Sequence, residues 1–591
     1  MTLIRRATAR ALVLVVAPLG LVVAGATPAF AHAELVSTDP QAGGVYDEAP
    51  KTLTLRYSEP VEASLGAVRV YDGRGAQLDI DKPSHPDGEQ SAVRVDLGDL
   101  RDGSYVVTWR VISADAHPVR GAFTFQVGPE ATGDDLEGLT QRLLASQGGS
   151  ETVGFLYTVA RFTVFASLAL LVGGAAFLAL VWPRGRDSRR ARVLIWAGWI
   201  GAAAATAAGL LLQGPYAAAL PLADVLDADV VRDVLDTRFG RVWAARLGLL
   251  LVAALLLRRL LPGRRPVAEY PLTPGWRGAA AAIGAGLLLT PGLAGHAGSG
   301  DLVPVAVVVD AAHVGGVALW LGGLVLLVVA LLSSADAAEL RSAVPRYSQL
   351  ALASVGVIVA TGAFQSWRQV GGLSPLRDTD FGRLLVLKLL LFGGLVVVAA
   401  FSREVVNRSF RVKTALAHAE RVPVGGGDPV TSGDGSDGGS GPLDDATEVR
   451  NLRRTVAIEV LIAVAVLVVA ALLVNTAPAR SAAAGPYAEV LKSDELWVDV
   501  LVDPARVGKN DLHVTALTAT GNPTTVLEME VNLTQPERDI APVDVPLRRL
   551  GPGHYVANGF DIPIRGEWQL IANALVDETT QVVVRGEVEI Q

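Results

Sequence analysis

Eight apolar stretches long enough to cross a bilayer run through this 591-residue chain, at about 153–182, 193–213, 241–257, 276–294, 304–332, 348–366, 383–401 and 455–476. Hydrocarbon offers the backbone no hydrogen-bond partners, so a spanning segment must satisfy its own amides. Continuous rather than alternating apolar runs do this as α-helices. A transmembrane bundle of eight helices is therefore expected between about 151 and 480. A hydrophobic fraction of 51% against 19% charged residues suits such a protein. Arg184, Arg186, Arg189, Arg190 and Arg192 follow the first span, Arg258, Arg259, Arg264 and Arg265 the third, and Arg403, Arg408, Arg411 and Lys413 the seventh. The loop after the second span carries Asp224, Asp227, Asp229, Asp233 and Asp236 instead. Basic loops stay cytoplasmic, so an even number of spans leaves both flanking regions outside the cell.

The flanks agree with that orientation. Arg5, Arg6 and Arg10 precede an apolar run from Ala11 to Gly25, and Ala29-Phe30-Ala31 is a small-x-small cleavage pattern, so residues 1–31 are expected to be a secretory signal peptide. Residues 32–130 contain β-branched and aromatic runs, Leu53–Tyr57, Ala67–Tyr71, Tyr105–Trp109 and Ala122–Val127, punctuated by Asp72-Gly73 and Asp102-Gly103. They predict a β-sandwich. A polar linker is expected at 131–150, and a disordered cytoplasmic loop at about 424–442, where Gly, Ser and Asp dominate. From 486 to 591 the period of two returns in Leu496–Val502, Val526–Val531, Trp568–Ala572 and Gln581–Val584. The fold expected is multi-domain: an exported all-β sandwich, an eight-helix transmembrane bundle and a second exported β-sandwich.

A net charge of −8 without a basic tract excludes a nucleic-acid partner. Cysteine is absent, and methionine occurs only at Met1 and Met529. Disulfides, thiolate nucleophiles and sulfur-rich Cu(I) sites are thereby excluded, and any bound metal must use nitrogen and oxygen, which favours Cu(II). Cleavage after Ala31 would make His32 the first residue. Its α-amine and imidazole would form a chelate that Asp115 and His117, in Asp115-Ala116-His117, could complete. On spacing alone, an arbitrary cleavage point and a surface His117 explain the same residues equally well.

His32-Ala33-Glu34-Leu35 with Ser37-Thr38-Asp39-Pro40, Tyr57-Ser58-Glu59-Pro60, and Ser113-Ala114-Asp115-Ala116-His117-Pro118 with Val119-Arg120-Gly121 together resemble CopC, the periplasmic copper-binding β-sandwich. The resemblance implies that Cu(II) is held by the amine and imidazole of His32, the imidazole of His117 and the carboxylate of Asp115. Glu59 would support these ligands or bind weakly. The Met-rich segment of Cu(I)-binding members is missing, so only the Cu(II) site carries over. His85, in Pro83-Ser84-His85-Pro86, reads as a loop histidine.

Ionisable residues inside a membrane must face a partner or a cavity. Asp310 and His313 share one face of the fifth span, and His296 ends the fourth on the same side. These three form a candidate handoff site. Pairing of Asp310 with Arg161 or Arg246, with the histidines bonding between helices, is the alternative. Lys388 and Glu459 read as members of structural ion pairs. Gly295-His296-Ala297, Ala311-Ala312-His313-Val314-Gly315-Gly316, Trp320-Leu321-Gly322-Gly323, Tyr347-Ser348, Thr361-Gly362, Trp367, Thr379, Gly382-Arg383 and Lys388 resemble the membrane copper-resistance protein family CopD over about 150–480. That resemblance implies passage or acquisition of copper at the membrane. Gly553-His554-Tyr555 and Gly566-Glu567-Trp568 resemble the YtkA-type sandwich. His513 and His554 there read as exposed rather than as weak copper contacts.

No nucleophile–base pair or nucleotide-binding loop is present, so no enzymatic activity is expected. The expected function is capture of Cu(II) outside the cell and its transfer to the transmembrane domain, for uptake, homeostasis or resistance. The expected partners are copper ions, the lipid bilayer, and extracytoplasmic copper chaperones or cuproenzymes. Two alternatives stand: a haem-containing membrane redox protein using His296 and His313, and a membrane-anchored copper buffer.

Overall fold

The computed structural model describes residues 33–590 apart from 34, 115–116, 129–135, 147, 264–269, 300–301, 335–336, 371–374, 420–441, 477, 480–486, 494, 504, 506, 519–523, 539 and 552. The expected signal peptide at 1–31, His32, Asp115 and all but the last residue of the expected loop at 424–442 lie outside the described residues. The chain divides into two compact units, one β-rich and one helical, and Ala114 and His117 pack with the helical one.

In the β-rich unit, residues 35–127 form seven strands: β1 (Leu35–Asp39), β2 (Val45–Tyr46), β3 (Thr52–Tyr57), β4 (Val61–Asp72), β5 (Ala92–Asp96), β6 (Gly103–Ser113) and β7 (Pro118–Val127). Sheets β1-β3-β5 and β2-β7-β6-β4 enclose a core containing Leu53, Leu55, Val70, Val93, Val107 and Phe125. The expected linker is partly a helix, α1 (Leu136–Ser146), packed on β6 and β7. Leu136, Leu139, Leu143 and Leu144 recur at helical spacing and give it an apolar face, which outweighs the polar residues between them. Nine strands, β8 (Tyr487–Lys492) to β16 (Gln581–Ile590), form a second pair of sheets, β13-β14-β10-β9-β8 and β12-β11-β15-β16. Their inward residues, Val498, Val500, Val514, Leu533, Trp568 and Leu570 among them, alternate with outward polar ones, as the period of two requires.

The helical unit contains α2 (Glu151–Val181), α3 (Arg189–Ala218), α4 (Ala228–Asp236), α5 (Arg238–Leu260), α6 (Pro274–Leu293), α7 (Val303–Leu331), α8 (Ala337–Val370), α9 (Pro375–Asp378), α10 (Asp380–Ala419) and α11 (Pro442–Val474). Among the described residues, seven helices are long and apolar enough to cross a membrane. The fourth expected span coincides with the helix α6, which Arg277 and the glycines among its alanines leave less apolar than those seven and outside their number.

A duplication runs through this unit. Ala169-Leu170-Leu171-Val172-Gly173-Gly174 in α2 returns in α7 as Ala318-Leu319-Trp320-Leu321-Gly322-Gly323, and Asp236-Thr237-Arg238-Phe239-Gly240-Arg241 opening α5 returns as Asp378-Thr379-Asp380-Phe381-Gly382-Arg383 opening α10. The copies fold alike. Thr237 caps α5 by accepting from the Gly240 amide at 3.0 Å, and Thr379 accepts from the Gly382 amide at 3.0 Å. Wide π turns begin at Ala169 and at Ala318. The copies also meet reciprocally: a Cβ on Gly173 would lie 1.8 Å from the Ala318 oxygen, and one on Gly322 would lie 2.0 Å from the Ala169 oxygen. Contact of i with j′ and of j with i′ is the signature of a local twofold axis. Small residues let the two backbones approach this closely.

Candidate metal-binding site

Strand register brings three chain segments to one end of the first sandwich. Leu35 pairs with Tyr57, Val61 with Ser113, and Ile112 with Pro118. Glu59 sits half-buried in the β3–β4 turn, and Asp115 and His117 fall between Ser113 and Pro118. His32 precedes Leu35 by three residues, a tether of about 10 Å at full extension. Beneath this end, Tyr57 meets Trp109 edge-on with centroids 5.6 Å apart. Trp109 lies flat across Gly121, where any Cβ would come within 2.4 Å of its ring. Burial raises the Tyr57 phenol above its usual range, so it stays neutral.

His117 is buried and itself falls within the helical unit. Its Nε2 lies 2.7 Å from the Val474 oxygen at the end of α11. A carbonyl only accepts, so Nε2 carries the proton and the ring's lone pair is on Nδ1. Metal-binding histidines are oriented by this kind of N–H to carbonyl bond. The His117 ring stacks on that of His296, with centroids 4.7 Å apart and an interplanar angle of 10°. The helix α6 ends at Leu293, and after the extended Gly295 the short turn His296–Gly298 begins. Arg368 of α8 holds that turn, donating to the His296 oxygen at 2.8 Å and also to the Ser299 oxygen. Arg238 donates to the Gly298 oxygen at 2.5 Å.

Asp310 and His313 lie deeper along α7 and point to separate partners. The Thr361 hydroxyl donates to the Val357 oxygen at 2.6 Å, so at 2.9 Å it accepts from His313 Nδ1–H and leaves the ring's lone pair on Nε2. Asp310 Oδ1 accepts from Gln365 Nε2 at 2.8 Å, and Lys388 lies within electrostatic reach. Asp310 therefore belongs with Gln365 and Lys388, and Arg161 instead donates to the Val474 oxygen and to Asn475 Oδ1, each at 2.9 Å. Among the described residues no group of three His, Asp or Glu side chains is arranged to hold a metal ion, so His296, Asp310 and His313 do not form one ligand set. What the sequence reading missed is the neighbour of His117. Local spacing carries no signal for a contact between residues so far apart in the chain.

In the second sandwich His513 and His554 are half-buried rather than exposed, and their rings stack at 5.7 Å. Burial, then the neighbouring His554, holds the His513 imidazole down to about 4.

Comparison with known proteins follows the same division of the chain. Residues 35–128 match the CopC domain, 151–304 the Copper resistance protein D-like N-terminal domain, and 341–473 Copper resistance protein D. The chain is 27% identical over 384 residues to the copper transport protein CutJ of Bacillus subtilis, covering 63% of this chain and 67% of that protein. It is 31% identical over 115 residues to copper resistance protein C of Escherichia coli, covering 18% of this chain and 90% of that protein. The E. coli protein YobA is 32% identical over 99 residues, covering 17% of this chain and 80% of its own length. The crystal structure of CopC from Methylosinus trichosporium OB3b shares 30% identity, covering 17% of this chain and 98% of that one, with a TM-score of 0.16. With a CopC domain and both CopD-type domains in one polypeptide, the chain belongs to the CopC–CopD copper transport and resistance family.

Proposed function

We propose that this membrane protein captures Cu(II) outside the cell at His32, Asp115 and His117, and passes it by way of His296 into the helical unit for uptake. The observation that carries this reading is the 4.7 Å stack of His117 on His296. One proposed ligand of the capture site thereby lies beside a second histidine within the helical unit. With its proton on Nε2, His117 offers Nδ1 to copper, and transfer needs only a change of ligand between adjacent rings. His313 and Asp310 are the next donors along α7, used in sequence rather than as a preformed cage. Glu59 supports the capture site from the β3–β4 turn. With no nucleotide-binding loop in the sequence, cation entry would draw on the membrane potential. Extracytoplasmic chaperones or cuproenzymes would be partners upstream of capture.

EPR of Cu(II) on the mature chain tests capture. A nitrogen-rich signature is expected that is lost on placing one residue before His32 or on His117→Ala. An unchanged spectrum and affinity in both variants would refute the site.

A further inference from the structure

The two copies of the duplicated helices carry polar centres at equivalent positions, and only one of these centres is electrically balanced. Counting twelve residues back from Gly173 and from Gly322 gives Arg161 and Asp310. Counting six forward from the capped glycines, Gly240 and Gly382, gives Arg246 and Lys388. Gln213 in α3 and Gln365 in α8 reach the same region in each copy, Gln213 bonded to Tyr157 and Gln365 to Asp310. In the second copy a carboxylate and an ammonium within electrostatic reach of each other occupy these places. In the first copy two guanidiniums occupy the same two places.

Both are buried, Arg161 at 5% exposure and Arg246 at 1%. Arg161 donates to neutral acceptors, the Val474 oxygen, Asn475 Oδ1 and, at 3.0 Å, the Tyr157 hydroxyl. Arg246 donates through Nε to Thr290 Oγ1 at 2.7 Å and lies 4.5 Å over the Trp243 ring, and its buried Nη1 has no hydrogen-bond partner among the described residues. Neither arginine forms an ion pair with a described carboxylate. An unpaired buried cation is strongly unfavourable, and these two lie within electrostatic reach of each other and repel. We propose that the first copy binds a small monoanion, a halide or a small carboxylate, between Arg161 and Arg246, where it supplies the charge that Asp310 supplies in the second copy. Tyr157, Thr290 and Trp243 surround the site. In the copper-transfer reading, on which the site's existence does not depend, a bound anion would remove a positive barrier to an entering cation.

The test uses the full chain in nanodiscs without copper, so its outcome is independent of any copper reading. Thermal stability is followed as gluconate, a bulky anion, is exchanged for chloride, bromide or acetate at constant ionic strength. Emission is followed in parallel, since bromide beside Trp243 quenches it. Wild type should show a midpoint that rises with halide and a saturable quench displaced by chloride. Arg246→Gln should weaken halide binding at least about tenfold, equivalent to roughly 1.4 kcal/mol, and Arg246→Lys should restore part of it. If Arg246→Gln does not fold, Thr290→Val should weaken binding with the arginines intact. Acetate acting as chloride does would extend the ligand to carboxylates, and acetate acting as gluconate does would restrict it to halides, the site standing in both cases. A midpoint indifferent to the anion, or a linear quench equal in wild type and Arg246→Gln, would overturn the proposal.

Discussion

The close approach of α2 and α7 gives a prediction whose sign depends on position alone. A Cβ on Gly173 would lie 1.8 Å from the Ala318 oxygen, so the backbones must part by about 1.2 Å to restore even a 3.0 Å contact. Overpacking of this kind costs about 1–3 kcal/mol. Gly154 lies on the same helix, and a Cβ there would meet nothing within 4 Å, so the substitution only removes glycine's conformational freedom, a gain of up to about 1 kcal/mol. Gly173→Ala should therefore destabilise the purified protein and Gly154→Ala should not, measured as the midpoint of thermal or SDS unfolding followed by circular dichroism. Gly322→Ala should resemble Gly173→Ala. The double variant should cost less than the sum, because the first methyl has already separated the helices that the second would strain. Equal effects of Gly154→Ala and Gly173→Ala, or full additivity at 173 and 322, would refute the reciprocal contact.

Other consequences follow from single groups. Thr361→Val removes the acceptor of His313 Nδ1–H and should destabilise the protein by about 0.5–1.5 kcal/mol in the same assay, more if the buried imidazole is left unsatisfied. His513, held at about 4 against an ordinary 6.5, makes the unfolded chain the stronger proton binder between those values. Its contribution is neutral above pH 6.5 and destabilising as pH falls through that window, and His513→Gln should flatten this part of the acid limb of stability against pH; an unchanged limb would remove His513 as its cause. Gly121→Ala should destabilise the first sandwich by displacing Trp109, seen as a lower unfolding midpoint and a shift in tryptophan emission.

Periodicity carried most of the architecture. Leu53–Tyr57 and Trp568–Ala572 lie in strands, and every expected apolar stretch lies in a helix, because burying such runs leaves the backbone few alternatives. The short helix α1 was obscured by the polar residues between its leucines. The duplication was legible in Asp-Thr-x-Phe-Gly-Arg at 236–241 and 378–383, but only to a search for repeats, since each copy alone reads as an ordinary helix start. At the candidate site, residue types and chain order nominate donors in or beside the segments that strand register brings together. The partners of Asp310 and the neighbour of His117 depend on packing between distant helices, which no local pattern encodes.

Copper entry into right-side-out vesicles carrying wild type, His117→Ala or His296→Ala tests the relay most directly, with the Cu(II) EPR spectrum recorded on each protein. The His117–His296 stack predicts that His296→Ala keeps the wild-type spectrum while entry falls on the order of ten- to a hundredfold, whereas His117→Ala loses both. Undiminished entry in His296→Ala with its spectrum intact would contradict the account.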